Sequence, residues 1–383
     1  MMSETYDFVV VGAGVFGSWS AYQLAQTGAS VLLLDQYGPG NSRSSSGGET
    51  RIMRLGYGPD EVYMRSAQRS LGLWRAAFDR ANRQLFHRTG VLWLAQAADE
   101  YSERTVASFE RLGVAFERLT REDLLERYPQ IDLGSVAWAI LEIDAGALMA
   151  RQAVQVIVQL AIDVGVTYLN DAVLAPEREV ELDLLVTRGG RKLQAGHFVF
   201  ACGPWLPKVF PDVLGNLVNV TRQEVCFFGV PPGDVRFSQT EMPIWIDFND
   251  LVYVIPDIGG RGLKLAIDAH GCAFDPDTGE RSISNDGLEA ARKILARRLP
   301  ALANAPLLES RVCQYENTWN GDLLIDRHPS LDNVWFVGGG SGHGFKHGPC
   351  VGKYLTDLVL GGGPVEPRFT LATKQLTQSR AVF

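Results

Sequence analysis

The 383 residues carry a net charge of −8, with 46% apolar residues and 40 glycines. That length and apolar content suffice for two domains with a sizeable core, and the acidic balance argues against a nucleic-acid or anionic-membrane partner. The five cysteines are odd in number and form no CxxC pair, which argues against a disulfide framework and fits a reducing compartment.

No basic-then-apolar leader opens the chain, no apolar run reaches about 18 residues, and Ala381-Val382-Phe383 is not a peroxisomal address. A cytoplasmic protein without a membrane partner, a monomer or small homo-oligomer, is expected. No metal cluster and no Ser-His-Asp triad stand out.

In chain order, Phe8-Val9-Val10-Val11 reads as a buried parallel strand. A glycine turn follows, then a helix over 19–26 with Gly28 as its stop. Val31 to Leu34 is a second buried strand ending at Asp35. The unit spans about 30 residues, the size of a dinucleotide-binding βαβ. Its turn, Gly12-Ala13-Gly14-Val15-Phe16-Gly17, matches G-x-G-x-x-G. Gly12 permits the tight turn, Gly14 the close approach of a pyrophosphate, and Gly17 close helix–strand packing. The helix N-terminus offers N–H groups and partial positive charge to phosphates. Asp35 stands where an acid bonds ribose hydroxyls. The motif does not separate FAD from NAD.

A Gly/Ser-rich loop covers 39–48, a helix 61–80, a strand 89–95 and a helix 147–164. Residues 197–201 form a third buried strand, and the Gly203-Pro204-Trp205 turn after it either backs the cofactor or simply ends the strand. From 219 to 319 short alternating runs (224–230, 243–248, 251–255, 262–269, 307–318) surround one helix, 286–298. They predict an antiparallel sheet with one covered face. A buried strand, 334–337, then enters a second glycine loop, Gly338 to Gly348, and a helix over about 349–360. This loop aims another helix N-terminus at an electron-rich group such as the pyrimidine end of a reduced flavin. An NAD dehydrogenase has no need of it. The fold class is α/β: a Rossmann-like FAD-binding domain from 1–86, 147–218 and 319–383, with an inserted α+β substrate domain on a mainly antiparallel sheet from 87–146 and 219–318.

Gly12 to Gly17, Gly48-Glu49-Thr50-Arg51-Ile52-Met53-Arg54, Gly262-Leu263-Lys264-Leu265, Val312-Cys313-Gln314-Tyr315 and Ser341-Gly342-His343-Gly344-Phe345-Lys346 resemble, in order and spacing, the monomeric sarcosine oxidase family. That family includes N-methyltryptophan oxidase and pipecolate oxidase, and the resemblance covers nearly the whole chain. It implies a glutathione-reductase-type FAD fold, an 8α-S-cysteinyl flavin, and oxidation of secondary amino acids by O2 to imine and H2O2.

By that resemblance Cys313 links the flavin. A thiolate is the reactive form, so a cationic neighbour favours the bond, and strand alternation puts Arg311, Cys313 and Tyr315 on one face. By pattern alone Cys313 reads as a small buried cysteine, the usual fate of a free cysteine in a sheet. Lys264 would lie under the flavin and assist electron transfer to O2, since a fixed cation stabilises the anion that forms; alternation alone allows mere solvent exposure of its face. Arg51 would sit near the flavin. Arg54 and Lys346 would hold the substrate carboxylate, Arg by its bidentate fork. If 51–54 is helical, both arginines point one way; by pattern alone they read equally as two surface arginines. Tyr253 and Tyr315 border the family's site but serve equally as sheet packing. Val15, Phe16, Gln36, Ser44, Val173, Gly342, Gly344, Phe345 and Lys346 complete the expected cofactor contacts.

Two departures matter. Ser46-Gly47 replaces the family's His-His pair, and Asp268 replaces a histidine, with His270 two residues further on the same face. Loss of a histidine makes room, and a carboxylate favours a cation, so a substrate larger than sarcosine with a second amine is expected. Asp268 reads equally as a structural partner of Arg or backbone N–H. Strand spacing sets it about 13 Å from Lys264. The alternatives are a flavin dehydrogenase with another acceptor, an NAD dehydrogenase and a non-catalytic FAD-binding protein. Lys264, the second glycine loop with Cys313, and the carboxylate clamp argue against them in turn.

Overall fold

The computed structural model describes residues 4–176 and 181–375. Its first sheet has seven strands. β1 (Glu4–Val11) pairs in parallel with β2 (Val31–Asp35) on one side and with Lys192–Phe200 on the other. Thr167–Asn170 extends the sheet beyond β2, and Val334–Gly338 extends it beyond Lys192–Phe200, both in parallel. Leu324–Arg327 closes that edge antiparallel, and Leu185–Val186 pairs with the start of Lys192–Phe200. Val9, Val10, Leu33, Phe198 and Phe336 are fully buried, as continuous apolar runs require when both faces are covered.

α1 (Val15–Ala25) begins four residues before the expected 19, because Gly14 already serves as its N-cap. Helix Gly348–Val359 packs beside it. A Cβ on Gly348 would lie 2.6 Å from Val15 Cγ2, and one on Gly352 2.6 Å from the Trp19 carbonyl carbon. Glycine at both positions lets the two helices approach. The loops that precede them leave β1 and Val334–Gly338, which run in parallel, so both stand at one edge of the sheet.

The second sheet has eight strands, in the order Leu307–Thr318, Val218–Phe228, Leu263–Ile267, Val252–Ile255, Ile244–Asp247, Val91–Ala95, Trp138–Glu142, Phe116–Thr120. Pairing is antiparallel except where Ile244–Asp247 meets Val91–Ala95. One face packs under helix Asn285–Arg298 through Leu263, Leu265 and Leu295. The other was expected to be open, yet Lys264 is only 3% exposed and Ala266 only 4%. That face turns toward the small cavity described below.

A third sheet joins β3 (Thr50–Met53), Gly146–Met149 and Phe86–His87. It answers one open reading and corrects one expectation. Residues 51–53 are strand, so the helical spacing that would turn Arg51 and Arg54 one way does not apply. The helix expected from 147 begins at Ala150, because 146–149 are held in this ladder. α2 (Glu61–Arg80) stands where periodicity places it. Boundaries at 86/87 and 146/147 fall inside two of these strands. We propose the interleaved two-unit division on the strand distribution, with 4–35, 167–200 and 324–338 in the first sheet and 91–142 and 218–318 in the second. Among the described residues no helix is long and apolar enough to cross a membrane, and no group of three or more His, Cys, Asp or Glu could hold a metal ion.

Candidate active site

The first glycine loop is held by contacts that exclude side chains. Gly12 stands at φ +106°, and a Cβ there would lie 2.4 Å from the Ala201 carbonyl oxygen. At Gly17 a Cβ would lie 1.8 Å from the Gly12 oxygen. Asp35 braces the same loop: Oδ2 accepts the Ala13 N–H at 2.8 Å, and Oδ1 accepts those of Tyr37 and Gly38 at 2.8 and 2.9 Å. Burial raises its pKa and these three amides oppose the rise. A carboxylate has about four acceptor sites, so Asp35 keeps capacity for a ribose hydroxyl while organising the turn. The Val15 N–H donates to Ser46 Oγ at 3.1 Å.

Above this loop opens a cleft of about 330 Å³, within the range of cofactor sites. Of the residues expected beside a cofactor, Gly12, Gly14, Val15, Phe16, Asp35, Gln36, Ser44, Arg51, Val173, Cys313, Gly342, Gly344 and Phe345 line it. Gly17 does not, since it packs against the loop, and Lys346 lines only the second cavity. The Gly203-Pro204-Trp205 turn lines the cleft as well. Its walls suit a dinucleotide: backbone bared by glycine, a helix N-terminus and a ribose-side acid.

The second cavity, about 70 Å³, is lined by Arg54, Tyr253, Lys264, Asp268, Tyr315 and Lys346 among others. The two cavities share Arg51, Cys313, Tyr315, Gly342 and Phe345, so they meet at the cysteine. Cys313 is buried, and Arg51 Nη2 donates to its Sγ at 3.3 Å. The direct cationic neighbour is thus Arg51, brought from β3 by tertiary packing. Lys264 Nζ donates to the Thr50 carbonyl at 3.0 Å and approaches Thr50 Oγ1 at 3.4 Å. Burial first, then the Arg51 guanidinium, push its ammonium down to about 7.

Arg54 is 4% exposed. Its Nη1 donates to the Gly56 carbonyl, its guanidinium lies 4.4 Å from the Tyr57 ring centre and 5.1 Å from that of Trp93, and its Nη2 has no hydrogen-bond partner among the described residues. Among the described residues Lys346 Nζ bonds only to neutral oxygens, Tyr57 Oη at 2.8 Å and the His343 carbonyl at 3.0 Å. Asp268 is half-buried and accepts from the Tyr315 hydroxyl at 2.6 Å. That hydroxyl, rather than the Arg or backbone N–H considered above, is its hydrogen-bond partner. Burial pushes its carboxyl up to about 6 against the opposing pull of Tyr315, Arg54, Lys346 and, least, Lys264. Tyr253 lies with its ring centre 5.5 Å from Lys264 Nζ.

Gly47 lines neither cavity; a Cβ there would lie 1.8 Å from the Asn41 carbonyl oxygen. The expectation that Gly47 makes room for substrate therefore fails: its glycine serves backbone packing. Three residues of the site escape sequence pattern. Glu142, fully buried, accepts the N–H groups of Leu55 and Gly56 and the Trp93 indole, and so fixes the turn that carries Arg54. Its one signal is a lone carboxylate ending the apolar run Trp138-Ala139-Ile140-Leu141. Tyr57 gives no comparable signal. Glu316 is buried on the large cleft, where burial pushes it up to about 8 against the N–H groups of Gly339 and Gly340.

Residues 7–358 match the family described as FAD dependent oxidoreductase. The chain is 30% identical over 376 residues to a monomeric sarcosine oxidase of Bacillus sp. (strain B-0618), covering 94% of each. It is 30% identical over 388 residues to the peroxisomal sarcosine oxidase of Homo sapiens, covering 98% of this chain and 96% of that protein. Its fold resembles the crystal structure of L-proline dehydrogenase from P. horikoshii, with a TM-score of 0.85 at 22% identity over 98% and 99% of the two chains.

Proposed function

The chain belongs to the FAD dependent oxidoreductase family, and from that premise we propose that it oxidises a secondary amino acid, N-alkyl or cyclic, to an imine and passes the electrons to O2, forming H2O2. One observation carries the reading: a small cavity lined by two basic side chains, Arg54 and Lys346, opens at Cys313 into the cofactor cleft. FAD, when bound, supplies the two-electron chemistry; the chain's residues position and exclude. Arg54, with an unpartnered Nη2, and Lys346 take the substrate carboxylate. That docking turns the α C–H bonds toward the junction of the cavities. The reactive form is the neutral amine, whose lone pair drives C–H cleavage. Lys264 presents a fixed positive charge to oxygen as it is reduced.

Cys313 is the proposed point of covalent attachment. Acid-precipitated protein is expected to keep its yellow colour, and Cys313→Ser to release it into the supernatant. Colourless pellets from both would show that the flavin is not linked there. Anaerobic bleaching by N-methyl and cyclic amino acids, followed by peroxide release in air, tests the reaction; bleaching without peroxide would point to another acceptor.

Asp268 is proposed to favour a substrate with a second, cationic group. With its carboxyl raised to about 6, it is charged above that pH and neutral below. Affinity for such a substrate is therefore expected above about pH 6 and is lost as pH falls through it. Asp268→Asn should flatten that dependence and raise KM for cationic substrates only. An unchanged preference in the variant would remove Asp268 from recognition.

A further inference from the structure

Lys346 is connected to the surface by a row of hydrogen bonds. Its Nζ lies 2.8 Å from Tyr57 Oη, which lies 2.7 Å from His347 Nε2; His347 Nδ1 in turn lies 2.9 Å from Ser66 Oγ. Lys346, Tyr57 and His347 are buried, whereas Ser66, on α2, is half-exposed. His347 sits between two hydroxyls, each able to donate or accept, so either neutral tautomer fits. His343 is a side branch. Its Nε2 faces the Gly321 carbonyl at 3.0 Å, which only accepts, so the neutral ring offers Tyr57 a bare Nδ1 at 3.1 Å.

We propose that Tyr57, His347 and Ser66 form a proton relay that charges Lys346 when an anionic carboxylate enters the small cavity and discharges it when the carboxylate leaves. The relay rests on the carboxylate-clamp reading of Arg54 and Lys346. Lys346 is faced by Arg54, Glu142 and Asp268; burial first, then Arg54, hold its ammonium well below the ordinary lysine range. His347 is faced by Lys346, His343 and Arg54, and burial holds its imidazolium well down too. Burial thus disfavours the charged form of both bases in line, and a bound anion favours protonation of the nearer one. In the inward transfer Ser66 Oγ–H passes its proton to His347 Nδ1. His347 Nε2–H passes one to Tyr57 Oη, and Tyr57 Oη–H passes one to Lys346 Nζ. Water restores the proton on Ser66. One proton enters, every hydrogen bond in the row reverses direction, and His347 changes tautomer while remaining neutral.

The test follows acetate binding to the holoenzyme at mildly alkaline pH by stopped flow with a pH indicator. Wild type is expected to take up about one proton per acetate bound, in step with binding. His347→Phe should take up the same proton roughly a hundredfold more slowly. His347→Gln should be as slow, because an amide bonds Tyr57 but does not hand a proton across. Ser66→Val, at a half-exposed site that spares the core, should also slow uptake and carries the test if His347→Phe does not fold. Uptake at wild-type speed in the phenylalanine or valine variant, or restored speed in the glutamine variant, overturns the relay and leaves the clamp standing. Acetate binding without proton uptake overturns it too, since Lys346 would already be charged. Acetate that fails to bind, or binds equally well to Lys346→Met, removes the clamp and the relay together.

Discussion

Replacing Lys264 with Met is expected to slow reoxidation of the reduced protein by O2 by about 10²–10³-fold, the range for losing one preorganised charge-stabilising donor, while leaving reduction by substrate far less affected. Lys264 is buried, and among the described residues its Nζ is held by the Thr50 carbonyl alone among backbone groups, with no carboxylate bonded to it. Its charge therefore remains available to oxygen as negative charge develops there. Methionine keeps the unbranched shape and removes that charge. The ammonium is pushed down to about 7, so the wild-type oxygen reaction should be fastest below that pH and decline as pH rises through it. An anion beside the amine would move the inflection upward, and the variant should show no inflection. Rapid mixing of anaerobically reduced protein with aerated buffer measures both. Equal reoxidation rates in the two proteins would remove Lys264 from oxygen chemistry.

Arg54→Met is expected to weaken carboxylate substrates by roughly 3 kcal/mol, about a hundredfold in Kd, as for loss of one buried charged partner. The guanidinium is pinned by Gly56 and by the Tyr57 and Trp93 rings, with Nη2 unpartnered, so its rotamer freedom is already spent before substrate arrives. Removing it also relieves Lys346, whose ammonium is depressed by burial first and Arg54 second. Lys346 should then hold a proton to higher pH, and part of the lost affinity should return at lower pH. Equilibrium titration with a non-oxidisable carboxylate across pH checks both effects. Unchanged affinity would place the carboxylate elsewhere.

Sheet-forming strands were legible in the sequence because burial on both faces leaves continuous apolar runs, as in Phe8 to Val11 and Val334 to Val337. The backbone around Arg51 was not legible for a different reason. The four residues Thr50–Met53 are too few to show a period, and only their ladder with Gly146–Met149, almost a hundred residues away in sequence, makes them strand. The space credited to Gly47 fails similarly: a missing side chain marks either a cavity or a close backbone contact, and only the Asn41 carbonyl decides between them.

From its sequence alone the protein carries two glycine turns after buried strands and an acid ending the second strand, because each of these signals is a local backbone requirement written in a few neighbouring residues; the roles of the cysteine, lysines and arginines came from family resemblance, not from local pattern. Tertiary structure alone sets Arg51 against Cys313, leaves Arg54 with an unpartnered Nη2, binds Asp268 to Tyr315 and connects Lys346 through His347 to Ser66. Each of those relations joins distant parts of the chain, and the protonation of the groups involved follows from burial, which no local pattern encodes.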